Sequence, residues 1–174
     1  MANDLIKQRL RIVHILGVTA LVVLLGGVGA LACSMIADRL SRRMPSARLL
    51  VPAIAALLTT ALMSIAFGLL EPGPAQFALI MAGALVMAGS VGPTDAVVID
   101  VTHPSLRATA VSVLSLTRNL FGLAGGPLLA GALSDRFGLQ FAMAVIPVFG
   151  LLAAALFIRA ARTYPADLKS AGGA

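Results

Sequence analysis

Residues 49–70 read LLVPAIAALLTTALMSIAFGLL and contain no charged side chain. A helix of about 20 apolar residues crosses the hydrocarbon core of a bilayer, so this segment is long enough to do so. Backbone N–H and C=O groups find no water in lipid, and a helix satisfies them all within one segment. The segment therefore predicts a transmembrane helix, and it makes an integral membrane protein the first hypothesis.

The rest of the chain repeats this pattern, with charged residues gathered between long apolar stretches. We expect an all-α integral membrane fold with five transmembrane helices, at residues 12–37, 49–70, 75–99, 106–133 and 139–158. A basic stub precedes them at 1–11, and a small, polar and loose tail follows at 159–174. The fourth helix differs from the others because it contains Arg118 and Asn119.

The composition excludes several other classes of protein. The chain has 174 residues, of which 59% are hydrophobic and only 11% are charged, whereas soluble domains carry about 25% charged residues. The single cysteine excludes a disulfide framework, and the two histidines, His14 and His103, lie too far apart to suggest a metal cluster. No phosphate-binding loop and no catalytic constellation occurs. We therefore expect no enzyme, no metal and no cofactor.

The excess of basic residues, 13 against 7 acidic ones, is typical of membrane proteins, whose cytoplasmic loops collect Lys and Arg. This explanation is preferred over nucleic-acid binding. The loops 38–48 and 100–107 and the tail hold most of the cations, which predicts that they face the cytoplasm of a cell (inner) membrane. Five spans then place Lys7, Arg9 and Arg11 on the opposite side, where basic residues are disfavoured.

Arg118 is the sharpest candidate for a functional residue. It lies 13 residues past Ser105, which is about 20 Å along a helix and beyond the middle of a core about 30 Å thick. A charge at that depth is costly and is usually functional. By the same count Asp95 is only about 7 Å deep, too shallow for a direct pair. We expect Arg118 to contact water, an absent helix or an anionic solute, with a snorkelling side chain as the alternative.

Small and polar residues form faces on two of the predicted helices. Ser115, Asn119 and Gly122 repeat at helical spacing beside Arg118, which fits a cavity lining or a helix contact equally well. In the first span Gly26, Ala30 and Ser34, and likewise Gly29, Cys33 and Ala37, predict packing faces. The run 125–127, Gly-Gly-Pro, predicts a loosened or kinked helix.

Two stretches resemble motifs of the major facilitator superfamily. SMIADRLSRR at residues 34–43 is similar to the family's loop signature Gly-x-x-x-Asp-Arg-x-Gly-Arg-Arg, although Ser34 and Ser41 replace both glycines. DVTHPSLRATA at 100–110 resembles the start of the family's eleventh helix. The glycine-rich stretch 122–135 resembles that helix's outer end. The likeness covers roughly residues 17–162 and is closest in character to spinster-like and organic-anion members.

This resemblance implies a partial six-helix bundle, helices eight to twelve of the C-terminal half of a twelve-helix secondary transporter. In such a transporter, the depth of Arg118 and the polar stripe beside it lead us to expect that Arg118, Asn119 and Ser115 contact a small, anionic solute. A carboxylate within a membrane segment can carry a coupling proton, so we expect a gating or coupling role for Asp95, either protonated or paired with Arg107. The alternative is a helix-end carboxylate with access to water. The family's loop latch would fall to Asp38, Arg39, Arg42 and Arg43, for which a plain topological anchor is an equal alternative.

No counterpart of the family's N-terminal half occurs in the chain, so we expect a fragment that needs a missing N-terminal half or a second chain as partner. The alternative function is a non-transporting membrane interaction protein or an inert truncated remnant.

Overall fold

The computed structural model describes the backbone of residues 2–172, and the side chains of residue 9 and of residues 16–170 apart from 18 and 22. Every regular element in that part of the chain is a helix, which confirms the predicted all-α membrane bundle. The α-helices are α1 (Ala2–Ser41), α2 (Ala47–Gly68), α3 (Pro74–Ala88), α4 (Val91–Val101), α5 (Arg107–Thr117), α6 (Gly125–Phe137), α7 (Leu139–Val145) and α8 (Phe149–Gly172). The side chains of Lys7 and Arg11 in the predicted basic stub lie outside the described residues.

Four helical segments are long and apolar enough to cross a membrane: Thr19–Ser41, Ala47–Gly68, Pro74–Val101 and Leu139–Ser170. Each overlaps one of the predicted spans. The remaining predicted span, 106–133, is helical from Arg107 to Phe137, but a π-helical stretch, Arg118–Ala124, separates α5 from α6. It is therefore not one uninterrupted α-helix, and its crossing of the membrane stays a prediction.

Helix α2 is the centre of the bundle. It packs against α1, α3, α4, α7 and α8, whereas the run from α5 to α6 contacts chiefly α4 at one end and α7 at the other. The buried residues are mostly alanines, and many leucines and phenylalanines point outwards. This distribution suits lipid, because helices in a bilayer associate by close packing of small side chains rather than by burying large apolar ones.

The packing faces predicted on the first span are confirmed. Gly29 meets Leu85 of α3 so closely that an added Cβ would lie 2.8 Å from its carbonyl carbon and nearer still to its oxygen. Ala37 is fully buried. We call this contact the small-residue seam, which comprises Gly26, Gly29, Cys33 and Ser34 of α1 and Leu85, Ala88, Gly89 and Gly92 opposite them.

Prolines account for the interruptions within the long helical segments. Pro93 has no N–H to donate to the carbonyl of Gly89, and its ring crowds that carbonyl. The helix is therefore interrupted just before Pro93: α3 ends at Ala88 and α4 begins at Val91. Pro147 sits in a 3₁₀ turn, Ile146–Val148, between α7 and α8. The π-helical stretch lies directly before Gly125, Gly126 and Pro127, so the predicted loosening of that helix is confirmed.

The expectation of a loose tail at 159–174 is wrong for the described residues, because α8 continues as a helix to Gly172. Its apolar side chains hold it to the bundle. Tyr164 is only 3% exposed and packs with Leu49 of α2 and Ala161, with Leu168 beside them. The tail therefore brings Tyr164 back to the start of α2.

Candidate functional site

An ion pair joins α4 to the beginning of the π-helical stretch. Nη1 of Arg118 lies 2.7 Å from Oδ1 of Asp95, and the two side chains are 32% and 34% exposed. Oδ1 is shielded from solvent, yet it accepts no hydrogen bond among the described residues. The guanidinium thus approaches closely enough to neutralise the carboxylate but outside hydrogen-bond geometry. This leaves hydrogen-bonding capacity on both partners.

The expectation that Arg118 has no acidic partner within the chain is wrong, and so is the suggested pairing of Asp95 with Arg107. The sequence estimate compared the depths of backbone positions along two straight helices. Side chains on a helix lean towards its N-terminus, and α4 and α5 run in opposite directions through their connecting turn. Arg118 therefore leans back towards that turn and Asp95 leans away from it, so the two charged groups approach each other.

The other predicted cavity residues lie on the same helical run. Asn119 donates a hydrogen bond from Nδ2 to the carbonyl oxygen of Ser115 at 2.8 Å, and both side chains are exposed. An added Cβ at Gly122 would meet nothing within 4 Å. This polar face is therefore uncovered by any part of the chain that the structure describes.

A second charged cluster lies at the end of the bundle where α1 meets α2; we call it the Arg48 cluster, formed by Asp38, Arg48, Asp100 and Tyr164. Arg48 donates a hydrogen bond from Nη1 to Oδ2 of Asp100, and its Nη2 lies 3.4 Å from Oδ1 of Asp38. Tyr164 donates its hydroxyl to the same Asp100 oxygen at 2.7 Å. One carboxylate thus ties together α2, α4 and α8.

The Arg48 cluster overcomes an unfavourable placement of its charges. Arg48 lies in the first turn of α2, whereas Asp38 and Asp100 lie near the carboxyl ends of α1 and α4. The helix dipole favours the opposite signs at these positions. The pairing of Arg48 with both carboxylates compensates for this cost. An open pocket of about 250 Å³ adjoins the cluster, lined also by Ser41, Pro45 and Leu168.

Of the residues predicted for the loop latch, the described ion pairs include Asp38 but not Arg39, Arg42 or Arg43, which are exposed. The partner of Asp38 is Arg48, which follows the loop motif. Sequence reasoning missed Arg48, Asp100 and Tyr164 as site residues. The available signal was that α1, α2 and α4 each carry, at one end, a charge of the sign that the helix dipole disfavours: Asp38, Arg48 and Asp100.

The described residues contain no group of three His, Cys, Asp or Glu side chains that could hold a metal ion. Arg107 donates from Nε to the carbonyl oxygen of Thr102 at 3.3 Å. It therefore contributes to the turn between α4 and α5.

Fold and composition together define a polytopic helical membrane protein. No protein-family model matches the chain. The chain is similar to protein spinster homolog 3 of Danio rerio, with 26% identity over 166 residues that cover 87% of this chain and 33% of that protein. It thus spans about a third of the length of the curated relative it matches. This likeness and the apolar helices support a transporter-like family, in agreement with the spinster-like character of the loop motifs.

Proposed function

We propose that the chain forms the C-terminal half of a major facilitator type of secondary transporter and carries a small, anionic solute. The single observation that supports this most is the ion pair between Arg118 and Asp95. Ionisable groups within membrane segments usually face a cavity and mark a substrate or ion pathway. A pair that is one-third exposed can exchange partners more easily than a buried one.

In this proposal Arg118 is the group that recognises the solute. A carboxylate or phosphate on the solute would compete with Asp95 for the guanidinium, which offers several N–H donors in a planar fork. Ser115 and Asn119 add hydroxyl and amide groups on the adjacent face. The π-helical stretch supports this assignment, because π-helical turns inside α-helices occur frequently at functional sites.

Release of Asp95 from Arg118 provides a gating or coupling step. A carboxylate that loses its partner within a membrane either takes up a proton or pairs with another cation, because an isolated charge there is costly. Asp95 would thus respond to solute binding. At the end of the bundle, the Arg48 cluster would hold the helices closed, with Arg39, Arg42 and Arg43 of the loop available to a second bundle.

Alternating access needs two opposed bundles around a central site, so we further propose a partner: a missing N-terminal half or a second chain. The uncovered face of Ser115 and Asn119 supports this, because polar side chains on a membrane helix usually face the bundle interior or a water-filled cavity rather than lipid. A partner also fits the finding that the chain spans only about a third of the length of its curated relative.

Purified chain alone in liposomes is expected to give no uptake of labelled organic carboxylates or phosphate esters. Uptake by the chain alone would refute the need for a partner.

Transport assays in a full-length context test the proposal. The Arg118→Ala change is expected to abolish uptake, because the solute loses its charged contact, while Arg136→Ala at the end of α6 leaves uptake unchanged. Both variants remove one cation from the same helical run, so net charge is matched. Equal uptake by wild type and Arg118→Ala would contradict the proposal and favour the non-transporting interaction protein.

A further inference from the structure

The cations of the loop that follows α1 lie on one rim of the bundle. Arg39 occupies the last turn of α1, Arg42 and Arg43 follow in the turn to α2, and all three are exposed. Lys169 joins them from the last turn of α8. The hydrogen bond of Tyr164 to Asp100 fixes that end of α8 next to α2, and Lys169 follows Tyr164 by about 7 Å of helix. We call these four residues the basic rim.

The positive charge of the basic rim is not neutralised by the acids around it. Asp38 and Asp100 are both engaged by Arg48. The remaining acid nearby is Asp167, which is exposed on α8 beside Lys169. Among the described residues no ion pair involves any of the four rim cations. Their charge is therefore available to an external anion.

In a bilayer crossed by the candidate spans, the basic rim would stand at the depth of the lipid headgroups. Three candidate spans begin or end there, at Ser41, Ala47 and Ser170. Apolar side chains alternate with the cations: Leu40 is 48% and Met44 53% exposed. A surface that offers both cations and bare apolar side chains suits an amphiphile, whose phosphate and acyl chains lie next to each other.

We infer that the basic rim binds the headgroups of anionic phospholipids. Arginine pairs with phosphate in a bidentate manner, and Leu40 and Met44 contact the upper acyl chains. A soluble anion would use the arginines but would leave these apolar side chains without a partner. The inference does not depend on transport, because it concerns the rim of the bundle and not the Arg118 ion pair. It applies to the chain without a second bundle, which in the proposed function would contact Arg39, Arg42 and Arg43.

The test measures lipid binding to the purified full chain in a non-ionic detergent. Native mass spectrometry follows the first lipid bound during titration with dioleoyl phosphatidylglycerol or with zwitterionic dioleoyl phosphatidylcholine. Each Lys or Arg near an anionic membrane surface contributes on the order of a fivefold change in affinity. The triple change of Arg39, Arg42 and Arg43 to Gln is therefore expected to weaken phosphatidylglycerol binding by at least roughly tenfold and to leave phosphatidylcholine binding unchanged.

Two matched variants separate a rim site from its alternatives. The triple change to Lys keeps the charge and is expected to keep most of the affinity. The triple change of Lys7, Arg9 and Arg11 to Gln, at the opposite end of α1, removes the same net charge and is expected to have little effect. Binding that is unchanged in the first Gln variant, or weakened equally in both Gln variants, would overturn the inference.

Free glycerol 3-phosphate identifies the source of the anion. Millimolar glycerol 3-phosphate is expected not to displace phosphatidylglycerol, and displacement would show a soluble-anion site instead. Circular dichroism checks the fold of every variant. If the triple Gln variant fails to fold, the double change Arg42→Gln and Lys169→Gln carries the same test, because both side chains are exposed and outside the Arg48 cluster.

Discussion

The change Gly29→Ala tests the small-residue seam. A Cβ at this position would lie 2.8 Å from the carbonyl carbon of Leu85 and still nearer to its oxygen. These are backbone atoms within α3, so no rotamer change relieves the overlap, and α1 must move away from α3. Gly27→Ala is the matched control, because a Cβ there would meet nothing within 4 Å.

The size of the effect follows from two opposing contributions. Overpacking an interface costs typically about 1–3 kcal/mol, and a contact with fixed backbone belongs at the upper end. Replacing Gly by Ala in a helix returns up to about 1 kcal/mol. We expect a net loss of about 2 kcal/mol for Gly29→Ala, and no loss for Gly27→Ala. A loss of that size lowers the unfolding midpoint by roughly 4–8 °C in a chain of this length.

Thermal unfolding in detergent, followed by circular dichroism, measures the difference, since the chain has no tryptophan for fluorescence. The single cysteine, Cys33, gives a second readout because it faces Gly89 across the same seam. Its reaction with a maleimide is expected to become faster in Gly29→Ala and to stay unchanged in Gly27→Ala. Equal midpoints for wild type and Gly29→Ala, or equal losses in both variants, would refute the close approach of α1 and α3.

Three further tests probe the Arg118 ion pair, the Arg48 cluster and the contact of α8 with α2. A double-mutant cycle of Asp95→Asn and Arg118→Gln, read by thermal unfolding, is expected to give a coupling energy of about 0.5–3 kcal/mol, the range of coupled pairs in contact. Independent effects of the two changes would contradict the pair. Tyr164→Phe removes the hydroxyl that donates a hydrogen bond to Asp100 and is expected to lower the free energy of unfolding by about 1 kcal/mol. An unchanged unfolding midpoint would contradict that hydrogen bond. Gly150→Ala places a Cβ against the hydroxyl of Thr60 in α2 and is expected to destabilise the chain by about 1–3 kcal/mol. Wild-type stability in this variant would exclude the contact.

Much of the fold was predictable because hydropathy is a local property. Residue type and helical spacing alone predict the four candidate spans, the loosening before Pro127 and the packing faces around Gly29. The tail was mispredicted, because its composition is small and polar on average while one face, carrying Tyr164 and Leu168, packs on α2. An average over a segment conceals such a face.

The candidate site was predictable in its residue types but not in its contacts. Residue type and position point to Arg118 as a candidate, and its location within a membrane segment stays a prediction. The sequence does not indicate its partner Asp95. The estimate treated each charge as a point at its backbone position, and it omitted the opposite lean of the two side chains. Nothing in the sequence around Arg48 indicates that its side chain pairs with two carboxylates, Asp38 and Asp100.

Hydropathy along the chain is enough to predict a bundle of membrane helices and to identify the residues that are too polar to face lipid. Which of those residues meet depends on the tertiary structure. Arg48 and Asp100 are 52 residues apart in the chain, and Tyr164 and Asp100 are 64 apart. Such pairings depend on how helices cross and on the direction in which their side chains lean, and neither is encoded in any one segment.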